Sequence, residues 1–302
     1  MLSLIRQTSF RASLHLFVVL IIMHNKSLLL ILIPLCLPIK ALATQTYPWL
    51  TTRYDTNQSL VNRIATPPGF ERTSVPKNSF GYWLRHLPLK SGLPPVYLYN
   101  GKEKRNQSAH HAIIDIDVGH RDLQQCADAI IRLKAEYLYS KGLYDAIHFN
   151  FTSGDEAAYQ KWQQGYRPQV RGNQVKWRKK YRYNNAYQTF RLYTNTVFIY
   201  AGSYSLSQEL KTVKEIKDMK IGDIFIKGGF PGHAIIVVDM AINTTTGKTL
   251  FLLAQSYMPA QDIHILINPL NDKLSPWYEL DFGEQLQTPE WIFNRKQLKR
   301  FP

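Results

Sequence analysis

The C-terminal third of the chain carries four strand-length apolar runs in close succession, at residues 223–226, 233–238, 249–255 and 263–267. Runs of four to seven residues rich in Ile, Val, Leu and Phe, separated by turn-forming polar segments, suit buried strands and are too short for helices. The segment between the middle two, Asn243 to Lys248, is a polar loop of hairpin length. Consecutive strands joined this way run antiparallel. Only one strong helical pattern precedes them. A helix-first, sheet-later order with antiparallel connections predicts an α+β fold.

That helix is expected over residues 122–141. Asp122 is placed to cap it, with Gln125 at the third helical position in a capping-box-like pair. Cys126, Ala129, Ile130, Leu133 and Tyr137 fall on one apolar stripe, while Asp128, Arg132 and Glu136 lie off it. Gly142 supplies the stop. Before it, residues 79–85 read as a helical turn, 94–99 as a strand ending in the Asn100-Gly101 turn, and 111–118 as a second strand. Residues 44–72, broken by Pro67-Pro68-Gly69, read as an entry arm.

The N-terminus resembles an export signal. Met23-His-Asn-Lys26 gives a basic start, residues 27–38 a short apolar stretch, and Ala41-Leu-Ala43 a small-x-small cleavage site. Translation is expected to begin at Met23, with the preceding 22 residues an upstream extension. The domain plan is then 1–43 as extension plus signal peptide and 44–302 as one domain, with 143–210 an insertion or subdomain. N-terminal sequencing of an exported chain reads the expected start near Thr44 directly. The net charge of +15 loses Arg6, Arg11, Lys26 and Lys40, leaving 15 − 4 = +11. Of the two cysteines, Cys36 leaves with the leader and Cys126 remains without an intramolecular partner. In an exported protein a lone thiol is either buried and inert or kept for chemistry.

A cysteine in the first turn of a helix feels the positive end of the helix dipole, which favours thiolate. A histidine at the start of a strand can face it as base, and His233 stands there. A polar group on a neighbouring strand can orient the imidazole; Gln255 is the candidate and His264 the alternative. Gly222-Asp-Ile-Phe-Ile followed by Gly232-His-Ala-Ile-Ile-Val-Val resembles the β-core of papain-like amidases of the NlpC and CHAP types. That resemblance implies a papain-like core: a helix carrying Cys126 packed on an antiparallel sheet or partial barrel, with an aromatic, basic insertion. It implies Cys126 as nucleophile, His233 as base and Gln255 as orienting group, and no cofactor. A resemblance over nearly the whole mature chain is to the bacterial exported DUF4846 family. It is carried by Trp83-Leu-Arg-His-Leu-Pro-Leu-Lys90, Asp115-Ile-Asp-Val-Gly119, Arg121-Asp-Leu-Gln-Gln-Cys-Ala-Asp128, Pro231-Gly-His-Ala234 and Leu253-Ala-Gln-Ser-Tyr-Met-Pro-Ala-Gln261. That family is a domain of unknown function, so it implies relatives and no activity.

Two further patterns compete. His110, His111, Asp115, Asp117 and His120 cluster, and on a strand His111, Asp115 and Asp117 share a face that could hold a divalent ion. Alternate residues on a flat strand lie about 7 Å apart, so one strand brings at most two ligands together. No metal site is therefore expected, and Asp115 or Asp117 can pair with Arg121 instead. Residues 157–208 hold nine cations and no acid, interleaved with Trp162, Tyr166, Trp177, Tyr181 and Tyr183. In an exported protein such a surface meets anionic wall polymers, lipid headgroups or sugars; nucleic acid is not an expected partner in vivo. Trp162, Lys179, Lys180 and Arg182 are its candidate contacts. The leading expectation is an exported cysteine amidase or peptidase acting on a cell-envelope substrate. The alternatives are a non-catalytic envelope- or polysaccharide-binding protein with Cys126 as core, and a metal-dependent hydrolase.

Overall fold

The computed structural model describes residues 17–24, 27–34 and 47–302. The expected cleavage site at Ala41 to Ala43 lies outside them. Residues 1–44 and 45–302 form two units. In the first, Phe17–His24 pairs antiparallel with Ser27–Pro34.

The second unit is built on a nine-stranded sheet. Its main path uses β1 (His110–Ile113), β2 (Lys211–Thr212), β3 (Ile224–Lys227), β4 (His233–Ile242), β5 (Thr249–Gln255), β6 (His264–Leu266) and β7 (Leu298–Arg300). The spatial order is β1-β6-β5-β4-β3-β7-β2, and every neighbouring pair is antiparallel. Helices α1 (Phe80–Arg85), α2 (Cys126–Ser140), α3 (Tyr187–Tyr200) and α4 (Ser203–Glu209) complete the mixed α+β architecture.

Near-continuous apolar runs in the central strands mean that both sheet faces are covered. Along β4, Ala234, Ile236 and Val238 enter one core with α1, α2 and α3, while Ile235 and Val237 enter a second core on the opposite face. Alternation of side chains across a strand produces this split. The second core is closed by a hairpin of Gln285–Gln287 with Ile292–Asn294. Asp239, fully buried, is gripped by Arg72 at 2.7 Å and by Arg85 of α1 at 2.6 Å, which staples α1 to β4. Such a pair tolerates burial because both carboxylate oxygens are matched; removing one arginine leaves a charge in the core.

Several sequence expectations are corrected. Helix α2 begins at Cys126, with Gln125 at the N-cap and Asp128 accepting from the Gln125 backbone N–H at 3.1 Å. Asp122 is not the cap. It accepts from Ala260 N at 2.7 Å and Gln125 Nε2 at 3.0 Å, tying the approach to the helix onto the loop after β5. Asp128, Arg132 and Glu136, off the apolar stripe, are buried as well. Arg132 pairs with Glu136 at 2.6 Å, Asp117 at 3.0 Å and the Gln124 side chain at 2.9 Å, because α3 covers that face. Periodicity marks a polar stripe; it does not reveal a second helix laid over it. Residues 94–99 form bridges only, at Tyr97 and Leu98, and β1 ends at Ile113. Asp117 pairs with Arg132 and Arg191, not with Arg121.

Candidate functional site

The N-terminus of α2, the start of β4 and the loop after β5 enclose a cavity of about 650 Å³ lined by Cys126, Asp128, His233, Tyr257 and Trp291. Cys126 and His233, more than a hundred positions apart, therefore face one space. Cys126 is partly exposed and is the sole cysteine among the fully described residues. Backbone N–H groups of Ala234, Ala127 and Cys126 itself favour the charged sulfur. Burial outweighs them and pushes the thiol up to about 11. The expected low-pKa thiol is thus corrected: taking sulfur out of water costs more than the helix start and its amides return. Asp128 adds to the upward shift. Its own acid is raised well above the usual carboxylate range by burial, and its Oδ1 has no hydrogen-bond partner. Among the described residues no hydrogen bond joins the sulfur to His233.

His233 points to the second core, where its ring packs against Tyr257, Trp291 and Phe293 at centroid distances of 4.6, 5.3 and 5.8 Å. Burial among these rings pulls its pKa down to about 4, with the Gln255 hydrogen bond working the other way. Gln255 Oε1 lies 2.9 Å from His233 Nε2. The protons along this line follow from one fixed point. The Asp262 carbonyl, which can only accept, sits 2.9 Å from His264 Nδ1, so that nitrogen carries the proton. His264 Nε2 is then an acceptor and receives the Gln255 amide N–H at 3.3 Å. Gln255 must turn its oxygen to His233, whose Nε2 carries the proton and whose Nδ1 is bare. Among the described residues nothing bonds that Nδ1. Register explains the meeting: Gln255 is the direct cross-strand partner of His264 in the β5–β6 pair.

Gln255 thus bonds an imidazole side chain. His264 is the second support, one step behind it. Sequence reasoning missed Glu290 and Lys104. Gln255 Nε2 donates to Glu290 Oε2 at 2.8 Å, and Lys104 Nζ donates to the same oxygen at 2.5 Å. Neither lies in a patterned segment; both sit in loops, and no spacing rule pointed to them.

The basic region is partly as expected. A hairpin of Tyr166–Arg171 and Gln174–Lys179 leads to Lys180, Arg182 and Tyr183, all exposed, and Lys179 is exposed as well. Trp162 lines the cleft beside this hairpin with little of its own surface exposed. It is buried, donates Nε1 to the Thr189 carbonyl at 3.1 Å, and is covered by the Arg167 guanidinium 3.7 Å from its ring centroid. The metal reading loses its geometry, since the strand ends before Asp115 and Asp117. Among the described residues no three His, Cys, Asp or Glu side chains are grouped to hold an ion.

Fold and cavity together define an α+β protein in which the Cys126 thiol opens into a cleft shared with an imidazole held by an amide. The chain belongs to the DUF4846 family, a domain of unknown function, which it matches over residues 60–300. No curated protein and no solved structure matches it.

Proposed function

We propose that this cleft is a papain-like cysteine-hydrolase site, acting on an amide or acyl bond of cell-envelope material in an exported protein. The observation that carries the reading is the common cavity of Cys126 and His233, with Gln255 holding the imidazole in the tautomer that leaves Nδ1 bare. In the reaction the thiol proton passes to Nδ1 as sulfur bonds the substrate carbonyl carbon. The imidazolium returns that proton to the leaving amine or alkoxide as the scissile bond breaks. Water, deprotonated by the same nitrogen, then cleaves the thioester and restores the thiol. Exposed Phe230, Met258 and Ile199 on the rim favour a substrate with an apolar group beside the scissile bond. With p-nitrophenyl acetate as probe, intact-mass measurement should find one acetyl group on Cys126. Cys126→Ser should lose the thioester, and His233→Ala should slow acylation by roughly 10² or more. Acetylation that persists unchanged in both variants sinks the reading.

A second reading rests on a different place. A cleft of about 730 Å³ beside the basic hairpin is lined by Arg167, Lys180 and Arg182 and by no carboxylate. We infer that it takes an anionic envelope polymer, without base- or sequence-specific contacts. Retention on anionic wall fragments or acidic lipid vesicles should drop steeply as salt rises, because exposed charges are screened within about 8–10 Å at moderate ionic strength. Replacing Lys179 and Lys180 with Gln should weaken it further. Retention indifferent to salt counts against this surface.

A further inference from the structure

The tip of the hairpin that closes the second core brings Glu290 and Trp291 to the site as neighbours: Trp291 packs on the His233 ring, and Glu290 accepts from the Gln255 amide. Glu290 is held from the far side by the loop around residue 105. Lys104, only 7% exposed, donates to Oε2, and Asn106 Nδ2 donates to Oε1 at 3.1 Å. Lys104 and Glu290 are 186 positions apart, so their meeting is a product of the fold and not of local geometry.

We propose that Glu290 is a positioning residue for His233: its carboxylate, held by Lys104, fixes the Gln255 amide so that Oε1 faces Nε2 and Nδ1 stays bare. An amide can turn over and present its N–H₂ where its oxygen was, and the two orientations have nearly the same shape. A carboxylate removes the choice, because it only accepts. Turned over, Gln255 would set its oxygen against Glu290 and the lone pair of His264. It would also demand a lone pair from His233 Nε2, moving the proton to Nδ1 and closing the base. The contact to Glu290, at 2.8 Å, is shorter than the 3.3 Å contact to His264, and it carries charge. Lys104 keeps that charge in place by compensating it where water does not. The His233 ring is thus governed by residues that touch neither the sulfur nor a substrate.

The inference rests on the cysteine-hydrolase reading for its consequence but not for its test. In ¹⁵N-histidine-labelled protein, wild-type His233 should show a protonated Nε2 and a bare Nδ1. Glu290→Gln should give a second population with the proton on Nδ1, and acylation of Cys126 by p-nitrophenyl acetate should slow at least about tenfold. A Lys104→Gln, Glu290→Gln double variant removes both charges together. It keeps the question open to measurement if the single variant, with its unpaired buried ammonium, fails to fold. One unchanged tautomer in a folded variant overturns the role of Glu290. Wild-type protein that never acylates at Cys126 overturns the hydrolase reading instead, and the ring spectrum still decides for Glu290.

Discussion

Iodoacetamide is expected to reach Cys126 only slowly at neutral pH, and to react about tenfold faster for each pH unit up to the region of pH 11. The thiol is pushed up to about 11 by burial. At pH 7 about one thiol in 10⁴ is then ionised, against about three in a hundred for an ordinary cysteine, so alkylation should run roughly 300-fold slower. Two effects oppose this: the positive end of α2 and the amides of Ala234, Ala127 and Cys126. Both act on a charge that must first leave water, and desolvation is the larger contribution. A rate that levels off near pH 8 or below overturns the assignment and restores a resting thiolate. Slow alkylation fits an enzyme whose nucleophile is deprotonated during attack, not before it. His233, with its pKa pulled down to about 4, is unprotonated throughout the neutral range and free to accept, but it is a weak base, so sulfur–carbon bond formation must drive the transfer.

Replacing His264 with Asn should make the protein markedly less sensitive to acid. His264 is fully buried, and its pKa falls from 6.5 to about 3 chiefly because burial disfavours the imidazolium. The unfolded chain binds this proton below pH 6.5 and the folded chain resists it. The stability tied to neutral His264 is therefore complete above pH 6.5 and is lost as pH falls from there toward about 3. Between pH 7 and pH 4 the loss amounts to about 3 kcal/mol. Half-buried carboxyls such as Glu209, raised to about 7 by desolvation, shift stability the opposite way, so the absolute acid curve mixes several groups. The difference between variant and wild type isolates one. Denaturant titrations at pH 7 and pH 4 measure it, and a difference that stays constant with pH defeats the prediction.

The strands of the C-terminal third could be read closely because each is a short apolar run ended by polar turns; β5 falls at Thr249–Gln255 as expected. Cys126 in the first turn, His233 at a strand start and Gln255 at a strand end were legible for the same reason, since position within an element follows from pattern. What pattern could not show was depth. Whether Cys126 sits in water or under β4 decides its pKa, and periodicity is blind to that. The same limit hid the depth of Trp162 and of the charged side of α2, where a second layer covers residues whose spacing resembles that of a surface. Glu290 and Lys104 were invisible for a different reason. Their roles depend on a contact between two loops, which no local signal encodes.

The loop from β3 to β4 turns a matter of side-chain size into a matter of alignment. A Cβ at Gly228 would collide with Ser207, and one at Gly232 with Ser203 and the carbonyl of Gly229. The two feet of the loop therefore rest on α4 with not even a methyl group between them, while Phe230 at its crest is 95% exposed. His233 is the first residue past this seam. The loop behaves as a shim of fixed thickness. Its thinness sets how far the imidazole stands from the helix behind it, so one added carbon at either foot would move the ring without touching Cys126 or Gln255.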